Sequence, residues 1–146
     1  MGGYAGKLLY VNLTSGQIQV KPLETAFIRS NIGGLGFGTR IFIDLIKDKP
    51  QFDALSPDNP FLLMTGPLTG CGMDATARWA VCSKSPLTGF WGDANVGGYF
   101  GARLKFAGYD GIVITGAADH PVYLYINDRQ VELRDAYAYW GKDVYT

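Results

Sequence analysis

The sequence has no net charge and no long apolar run, and its first residues are not apolar. Its 13 basic and 13 acidic residues cancel, so there is no electrostatic reason to expect nucleic acid or an anionic membrane surface as a partner. No apolar stretch approaches the length of a membrane span, and the first residues contain no apolar signal core. We therefore expect a cytoplasmic protein.

Cysteine and histidine are also scarce. Cys71 and Cys82 stand eleven positions apart, and no CxxC motif or Cys/His pair has the spacing of a metal site. Both are interpreted as small buried or turn residues in a reduced compartment. His120 is the only histidine, and without a nucleophile motif such as GxSxG it is expected at the surface of a loop. Because an iron–sulfur cluster needs several thiolates, these residues cannot supply one.

Glycine, in contrast, is abundant, at 20 of 146 residues, where average usage is about 7%. Since glycine weakens helices and strands, an excess indicates either tight turns or backbone that approaches a ligand closely. The glycines are clustered, which favours the second reason. The length and the 47% hydrophobic content fit one globular domain with a true core.

The order of patterns along the chain predicts an α+β fold that is mostly β and is built on hairpins. Strands are predicted at 8–13, 17–21, 61–65, 78–83, 90–95, 111–115, 122–127 and 130–134, and helices at 24–31, 39–47 and 97–106. Asp128-Arg129 is the predicted turn of the last hairpin. A further helix is expected to start at Tyr139 and to be cut at Thr146, so the chain is interpreted as truncated.

The glycine-rich segment 33–38 precedes the second predicted helix. Gly34 and Gly36 have part of the spacing of a dinucleotide fingerprint, but a helix-like segment precedes them, Thr39 follows, and no βαβ unit surrounds them. A Rossmann site is therefore not favoured. Two interpretations stay open: backbone N–H groups that bind an anion at a helix start, and a sharp turn that allows close packing.

A second segment, from Arg78 to Gly101, has more of the features of a cofactor site. Asn95 and the paired glycines Gly97 and Gly98 can turn sharply and bring the backbone near a ligand. They precede a predicted helix, whose start favours phosphate or another anion. Arginine can bind oxyanions or stack on a flat heterocycle. Together these residues suit a planar, phosphorylated cofactor, although turn glycines and a surface arginine remain the alternative.

Seven phrases, in order along nearly the whole chain, resemble the N-terminal domain of the aldehyde:ferredoxin oxidoreductase family. They are GKLLYVNLTSG, GGLGFG, GPLTG, SPLTGF, NVGGYFGARLKFAGYDGIVITG, PVYLYIND and VELRDAYAYWGK. One such phrase could arise by chance, but seven in register could not. The resemblance implies that residues 1–146 form a pterin-cradling base of two twisted, antiparallel-rich sheets with a few short helices.

The resemblance also implies a cofactor and the residues that hold it. Family members carry tungsten, or molybdenum in some, between the dithiolenes of two pterins, and the protein gives the metal no direct ligand. Arg78 matches an arginine that contacts the pterin. Asn95 matches an asparagine whose main-chain carbonyl binds a magnesium ion that bridges the pterin phosphates. Gly97 and Gly98 match glycines that let the backbone approach the pterin. Trp79 and Val96 depart from the common pattern, so local packing is expected to differ.

By this resemblance the chain is part of an oxidoreductase that converts aldehydes to carboxylic acids and passes electrons to ferredoxin. The 4Fe–4S cluster ligands, the proton-handling acids and the second pterin loop belong to later helical domains, so the chain alone is expected to be inactive. Two alternatives remain: a relative with another substrate, such as an aromatic-ring thioester reductase, and a stand-alone subunit or interaction module. Homo-oligomer formation and the choice of metal stay open.

Overall fold

The computed structural model describes residues 2–128, 130–143 and 145. Within them, the chain forms strands β1 (Lys7–Asn12), β2 (Gln17–Pro22), β3 (Phe61–Thr65), β4 (Trp79–Lys84), β5 (Trp91–Val96), β6 (Gly111–Thr115), β7 (Val122–Asn127) and β8 (Gln130–Asp135), and helices α1 (Thr25–Asn31), α2 (Leu35–Ile46) and α3 (Phe100–Phe106). The predicted mostly-β, α+β class is confirmed. Arg129, half of the predicted turn, lies outside the described residues.

Six strands form one sheet in the order β2-β1-β6-β3-β4-β5, and β7 and β8 form a separate hairpin. All neighbouring strands run antiparallel except β1 and β6, which are parallel. The prediction of two antiparallel-rich sheets is therefore confirmed. This order leaves β5 at one edge of the large sheet, with β4 as its single strand neighbour among the described residues.

The large sheet has a core on each face. Successive residues of a strand point to opposite faces, and accordingly Leu8 belongs to one cluster of buried residues while Leu9 belongs to the other. Helices α1 and α2 cover the first face, where Phe37, Ile41, Phe42, Leu62, Met64, Ala80 and Cys82 are buried. Helix α3 and the β7–β8 hairpin cover the second face, through Leu104, Leu124, Ile126, Val131 and Leu133.

The start of helix α2 corrects one prediction. The helix was expected at 39–47, after a glycine loop, but it begins at Leu35 and includes Gly36 and Gly38. A Cβ atom at Gly36 would lie 2.0 Å from the Asn31 carbonyl oxygen, and one at Gly38 would lie 2.4 Å from Cys82 Sγ. These glycines therefore let α2 pack closely on α1 and β4, which favours the packing interpretation over an anion site.

The C-terminal end corrects another. Ala136 accepts backbone hydrogen bonds from Tyr139 and Trp140, but the segment forms turns, and no helix begins at Tyr139 within the described residues. Gly141 has a φ of +78°, which ends the turn in a left-handed conformation. Val144 and Thr146, part of the expected helix, lie outside the described residues.

A buried ion pair fastens the N-terminal segment to the body of the domain. Lys105 Nζ donates to Asp110 Oδ1 at 2.6 Å and to the Gly3 carbonyl at 2.6 Å. The same carboxylate accepts the backbone N–H groups of Ala5 and Gly6, at 3.0 and 2.6 Å. Asp110 is only 1% exposed, and these partners offset the cost of burying its charge.

The three helices were also compared with the length and hydropathy that a membrane span requires. Among the described residues, no helix meets both requirements.

Candidate functional site at the corner of β4 and β5

The predicted site residues meet where β4 starts and β5 ends. Trp79 is paired with Val96, and Ala80 with Asn95. Arg78 precedes the first residue of β4 and Gly97 follows the last residue of β5, so the same register places them next to each other. The sequence grouped Arg78 with the glycines, first on the chemistry of segment 78–101 and then through the family resemblance. The sheet register places them side by side.

The backbone of Asn95 faces the open edge of the sheet. Beyond the far end of the two strands, the Ser85 N–H donates to the Phe90 carbonyl at 2.8 Å. Hydrogen-bonded and non-bonded pairs alternate along an antiparallel ladder, so counting by twos makes Trp79 and Val96 a bonded pair and leaves Asn95 in a non-bonded one. The Asn95 carbonyl therefore points away from β4. Because β5 is the edge strand, this oxygen is available to a ligand outside the sheet.

The two glycines differ in why they are glycine. Gly98 has a φ of +80°, a left-handed conformation that side chains disfavour. Gly97 lies outside that region, and a Cβ atom added to it would meet nothing within 4 Å. No contact among the described residues thus requires glycine at 97. The space beside it is open, as expected where a backbone must approach a group from outside this chain.

Trp79 holds the glycine turn in place. Its indole Nε1 donates to the Gly97 carbonyl at 3.2 Å, and its ring lies 4.5 Å from that of Phe100 between centroids. A Cβ atom at Gly101 would lie 3.0 Å from Trp79 Cδ1, so α3 packs directly on the indole. The unusual tryptophan noticed in the sequence therefore joins the turn to the helix that follows.

Helix α3 begins later than predicted, at Phe100 instead of Gly97. Gly97 and Gly98 precede the helix, and the N-cap position is Tyr99. The positive φ of Gly98 is incompatible with a helical turn. The backbone available to a ligand here is therefore that of a turn, and the seven-residue helix supplies its anchor.

Arg78 is exposed, but its backbone carbonyl is hydrogen-bonded to a buried side chain. The Thr69 hydroxyl donates to the Arg78 carbonyl at 2.8 Å, and Thr69 is only 6% exposed. None of the ion pairs among the described residues includes Arg78, so its positive charge is free for a ligand. Sequence reasoning missed Thr69; the GPLTG phrase was noticed but given no function.

The cysteines and the histidine add no side-chain metal site. Burial, with a smaller effect of the Asp93 charge, raises the pKa of the Cys82 thiol to about 11, so this thiol stays protonated near neutral pH. Cys71 is exposed, and His120 is exposed beside Asp119 and stacked on Tyr137. Within the part of the chain that the structure describes, no three His, Cys, Asp or Glu side chains are grouped for a metal.

The corner is an open edge and not a closed pocket. A cavity of about 540 Å³ opens near β5, on the sheet face that carries Val81 and Ala94, but Arg78, Asn95 and the two glycines do not line it. What the corner offers a ligand is one guanidinium, one outward carbonyl and unobstructed turn backbone. These groups suit an anionic or planar group that other parts of a protein cover.

Comparison with known proteins identifies one family model and several relatives that are named as tungsten-containing. Residues 8–146 match the family model described as "Aldehyde ferredoxin oxidoreductase, N-terminal domain". Tungsten-containing aldehyde ferredoxin oxidoreductases of Pyrococcus abyssi and Pyrococcus furiosus are 51% and 46% identical over 97% and 99% of this chain, and 23% and 24% of their own lengths. A Pyrococcus furiosus protein named as the WOR-like subunit of an aliphatic sulfonate oxidoreductase is 40% identical over 97% of this chain and 22% of its own length.

A solved structure shows the same fold. It is the active site complex BamBC of benzoyl coenzyme A reductase with 1,5-dienoyl-CoA, and its matching chain superposes with a TM-score of 0.88 at 34% identity. The match covers 92% of this chain and 20% of the other. The chain therefore spans about a quarter of the length of the relatives that it matches.

Proposed function

This chain belongs to the aldehyde ferredoxin oxidoreductase family, whose N-terminal domain it matches, and we propose that it forms one side of the binding site for a tungsten–pterin cofactor. The observation that carries the proposal is the juxtaposition of Arg78 with the glycine turn at the β4–β5 corner. Tungsten is proposed as the metal because the relatives are named as tungsten-containing enzymes. Molybdenum in its place is the alternative that the family resemblance leaves open.

The residues at the corner fit such a cofactor. Arg78 supplies a positive charge, without an ion-pair partner among the described residues, beside which pterin phosphates or a reduced metal centre are stabilised. Gly97 and Gly98 let the backbone approach a flat ring without side-chain obstruction. The outward carbonyl of Asn95 is an oxygen donor of the kind that magnesium prefers, so it would hold the magnesium ion that the family resemblance implies.

When bound, the tungsten centre supplies the two-electron chemistry of the reaction, and the protein orients it and adjusts its surroundings. Within this chain, the β4–β5 corner positions the pterin and contributes charge. In this proposal the complete enzyme oxidises an aldehyde to a carboxylic acid, with water as the source of the added oxygen and ferredoxin as the acceptor of the two electrons. In this proposal the 4Fe–4S cluster and the substrate pocket belong to helical domains beyond these residues, and the protein acts in the cytoplasm, alone or as a homo-oligomer.

A second substrate class has support from the comparisons. The structural neighbour belongs to a benzoyl coenzyme A reductase, so a member of this family that reduces an aromatic-ring thioester is the alternative. The tungsten-loaded enzyme should be assayed with a short aldehyde and with an aromatic acyl-CoA under matched conditions. Aldehyde-dependent reduction of ferredoxin supports the proposal; turnover of the thioester alone would assign the chain to the alternative. A stand-alone subunit would require a partner chain for either activity.

The cofactor site itself is tested by Arg78→Ala in the tungsten-loaded enzyme. A charged hydrogen bond contributes about 1.5–3 kcal/mol, so tungsten binding should weaken by about tenfold or more. Tungsten per protein is measured by mass spectrometry of the metal, and the potential of the centre by redox titration. Arg40→Ala is the matched control, since Arg40 is an exposed arginine paired only with Asp44 among the ion pairs described. Unchanged metal content and potential in Arg78→Ala would remove Arg78 from the site.

A further inference from the structure

The Thr69 hydroxyl stands between β3 and β4 at the end of their hydrogen-bond ladder, opposite Arg78. The ladder pairs Met64 with Ala80 and Thr65 with Trp79, so the next pair in register would be Gly66 and Arg78. The structure has no direct bond there. The Gly66 N–H instead donates to Thr69 Oγ1 at 3.0 Å, and that hydroxyl donates to the Arg78 carbonyl at 2.8 Å.

The direction of the backbone explains why a hydroxyl is needed. The Thr65 N–H donates to Asp110 on the β6 side of β3, so by alternation the Gly66 N–H points toward β4. Trp79 forms its bonded pair with β5, so the groups of Arg78 point back toward β3. Both groups thus face each other, and the inserted hydroxyl holds them farther apart than a ladder bond would.

The same threonine also packs near Gly101 of α3, beside Trp79. A Cβ atom at Gly101 would lie 3.1 Å from Thr69 Cγ2 and 3.1 Å from Trp79 Cβ. The methyl group of Thr69 therefore packs where α3 meets Trp79, while the hydroxyl fixes the Arg78 backbone. Trp79 in turn donates to the Gly97 carbonyl, so the buried Thr69 contacts both the arginine backbone and the residues that hold the glycine turn.

We propose that Thr69 is a positioning residue for Arg78, which holds the guanidinium at the cofactor edge through its bridging hydroxyl. The inference rests on the proposed function, because it assumes that Arg78 acts on the cofactor. Without the hydroxyl, either the ladder closes directly and draws Arg78 toward β3, or Gly66 and Arg78 lose their partner. Both results move the positive charge relative to Gly97.

The test is a redox titration of the tungsten centre, followed by its electron paramagnetic resonance signal, in the loaded enzyme. Moving a positive charge away destabilises the reduced centre, so Thr69→Val should shift the potential downward, in the same direction as Arg78→Ala. Thr69→Ser keeps the bridging oxygen and should retain the parental potential, even if loss of the methyl lowers the melting temperature. In the Arg78→Ala background, Thr69→Val should add no further shift.

Thr65→Val is the matched control for the loss of a buried hydroxyl. Thr65 is 1% exposed, and its hydroxyl donates to the Asp110 carbonyl at 2.8 Å, which keeps a second donor in the Thr65 N–H. This variant should lose some thermal stability and leave the potential in place. An equal shift in Thr65→Val, or a full Thr69→Val shift in the Arg78→Ala background, would mean that Thr69 is structural only.

Two further outcomes separate the inference from the proposed function. If Arg78→Ala shifts the potential but Thr69→Val does not, the positioning role is overturned while the cofactor site stands. If Arg78→Ala has no effect on potential or tungsten content, Arg78 is not part of the site and the role of Thr69 is overturned with it. A shift in both single variants, rescued by serine at 69, supports both proposals.

Discussion

Glycines occur both beneath helix α2 and at the β4–β5 corner, but the space around them differs. A Cβ atom at Gly38 would lie 2.4 Å from Cys82 Sγ, whereas one at Gly97 would meet nothing within 4 Å. Under α2, glycine allows two elements of this chain to come together. At the corner it leaves backbone facing outward. The glycines of this molecule therefore have two separate uses, close packing in one region and open backbone in the other.

Polar groups divide in the same way. In the packed body, the carboxylate of Asp110 has Lys105 and two backbone N–H groups as partners. At the corner, the Arg78 guanidinium takes part in none of the ion pairs among the described residues, and the Asn95 carbonyl points away from its neighbouring strand. Substitutions in the body should therefore reduce stability, and substitutions at the corner should reduce cofactor binding.

The largest loss of stability is expected for Asp110→Ala. Removing one partner of a buried ion pair leaves an uncompensated charge, here the Lys105 ammonium, whose side chain is 10% exposed. Such a change costs about 3–5 kcal/mol, and it also releases the N–H groups of Ala5 and Gly6. The free energy of unfolding from urea denaturation measures the effect.

Asp44→Ala is the control for Asp110→Ala. Asp44 forms an exposed i,i+4 pair with Arg40, with side chains 47% and 58% exposed, and such pairs contribute about 0.3–0.5 kcal/mol. A loss in Asp110→Ala no greater than that in Asp44→Ala would show that the Lys105–Asp110 pair does not hold the N-terminal segment.

A smaller loss is expected for Gly38→Ala. The new methyl group would overlap Cys82, which is buried under α2, and overpacking a core costs about 1–3 kcal/mol. This exceeds the gain of about 0.5–1 kcal/mol from replacing glycine in a helix. Thermal and urea unfolding should both show the loss, and tungsten content should not change.

The companion variant Gly38→Ala/Cys82→Ala checks the cause of that loss. Removing Sγ deletes the 2.4 Å contact but leaves the Cys82 Cβ at 3.2 Å, so the double variant should be more stable than the sum of the single changes predicts. Additive losses would indicate that the two residues do not meet.

The bounds of the strands were predicted better than the starts of helices α2 and α3. The strands predicted at Phe61–Thr65 and Val122–Asn127 have the observed bounds, because a short run of strand-forming residues marks a strand locally. Helix α2 was predicted late because glycine disfavours helices, yet Gly36 and Gly38 are helical where close packing outweighs that preference. The difference is explained by the contacts of these glycines with Asn31 at the end of α1 and with Cys82 on β4. A local sequence pattern does not show these contacts.

The candidate site was predicted from the residue types of segment 78–101 and from the family resemblance, but the residues that support it were not predicted. Asn95, Gly97 and Gly98 belong to one of the seven phrases, whereas Arg78 lies outside all of them. The register of β4 and β5 places all four residues at one corner. The role of Thr69 depends on which way two backbone groups point after the ladder ends. The bond from Trp79 to Gly97 depends on a side chain crossing to the next strand. Neither has a local pattern in the sequence.

The smallest effect on stability is expected for Gly97→Ala. This variant also tests most directly whether the glycines at the β4–β5 corner differ from those under α2. Its added methyl group has open space and needs no left-handed backbone, so the free energy of unfolding should change by no more than about 0.5 kcal/mol. The methyl would nevertheless occupy the side from which we propose that the cofactor approaches. Tungsten per protein in the loaded enzyme should therefore fall while the melting temperature of the protein stays the same.

Gly98→Ala provides the contrast at the neighbouring position. Its φ of +80° strains any side chain, so it should lose about 1 kcal/mol of stability together with tungsten. Gly38→Ala should do the reverse of Gly97→Ala, losing stability and keeping tungsten. If Gly97→Ala retains full tungsten, the open space at the corner is not where the cofactor lies, and glycine at 97 has no role in access. If it loses stability as Gly38→Ala does, the turn is packed against groups of this chain, and the distinction between the two regions fails.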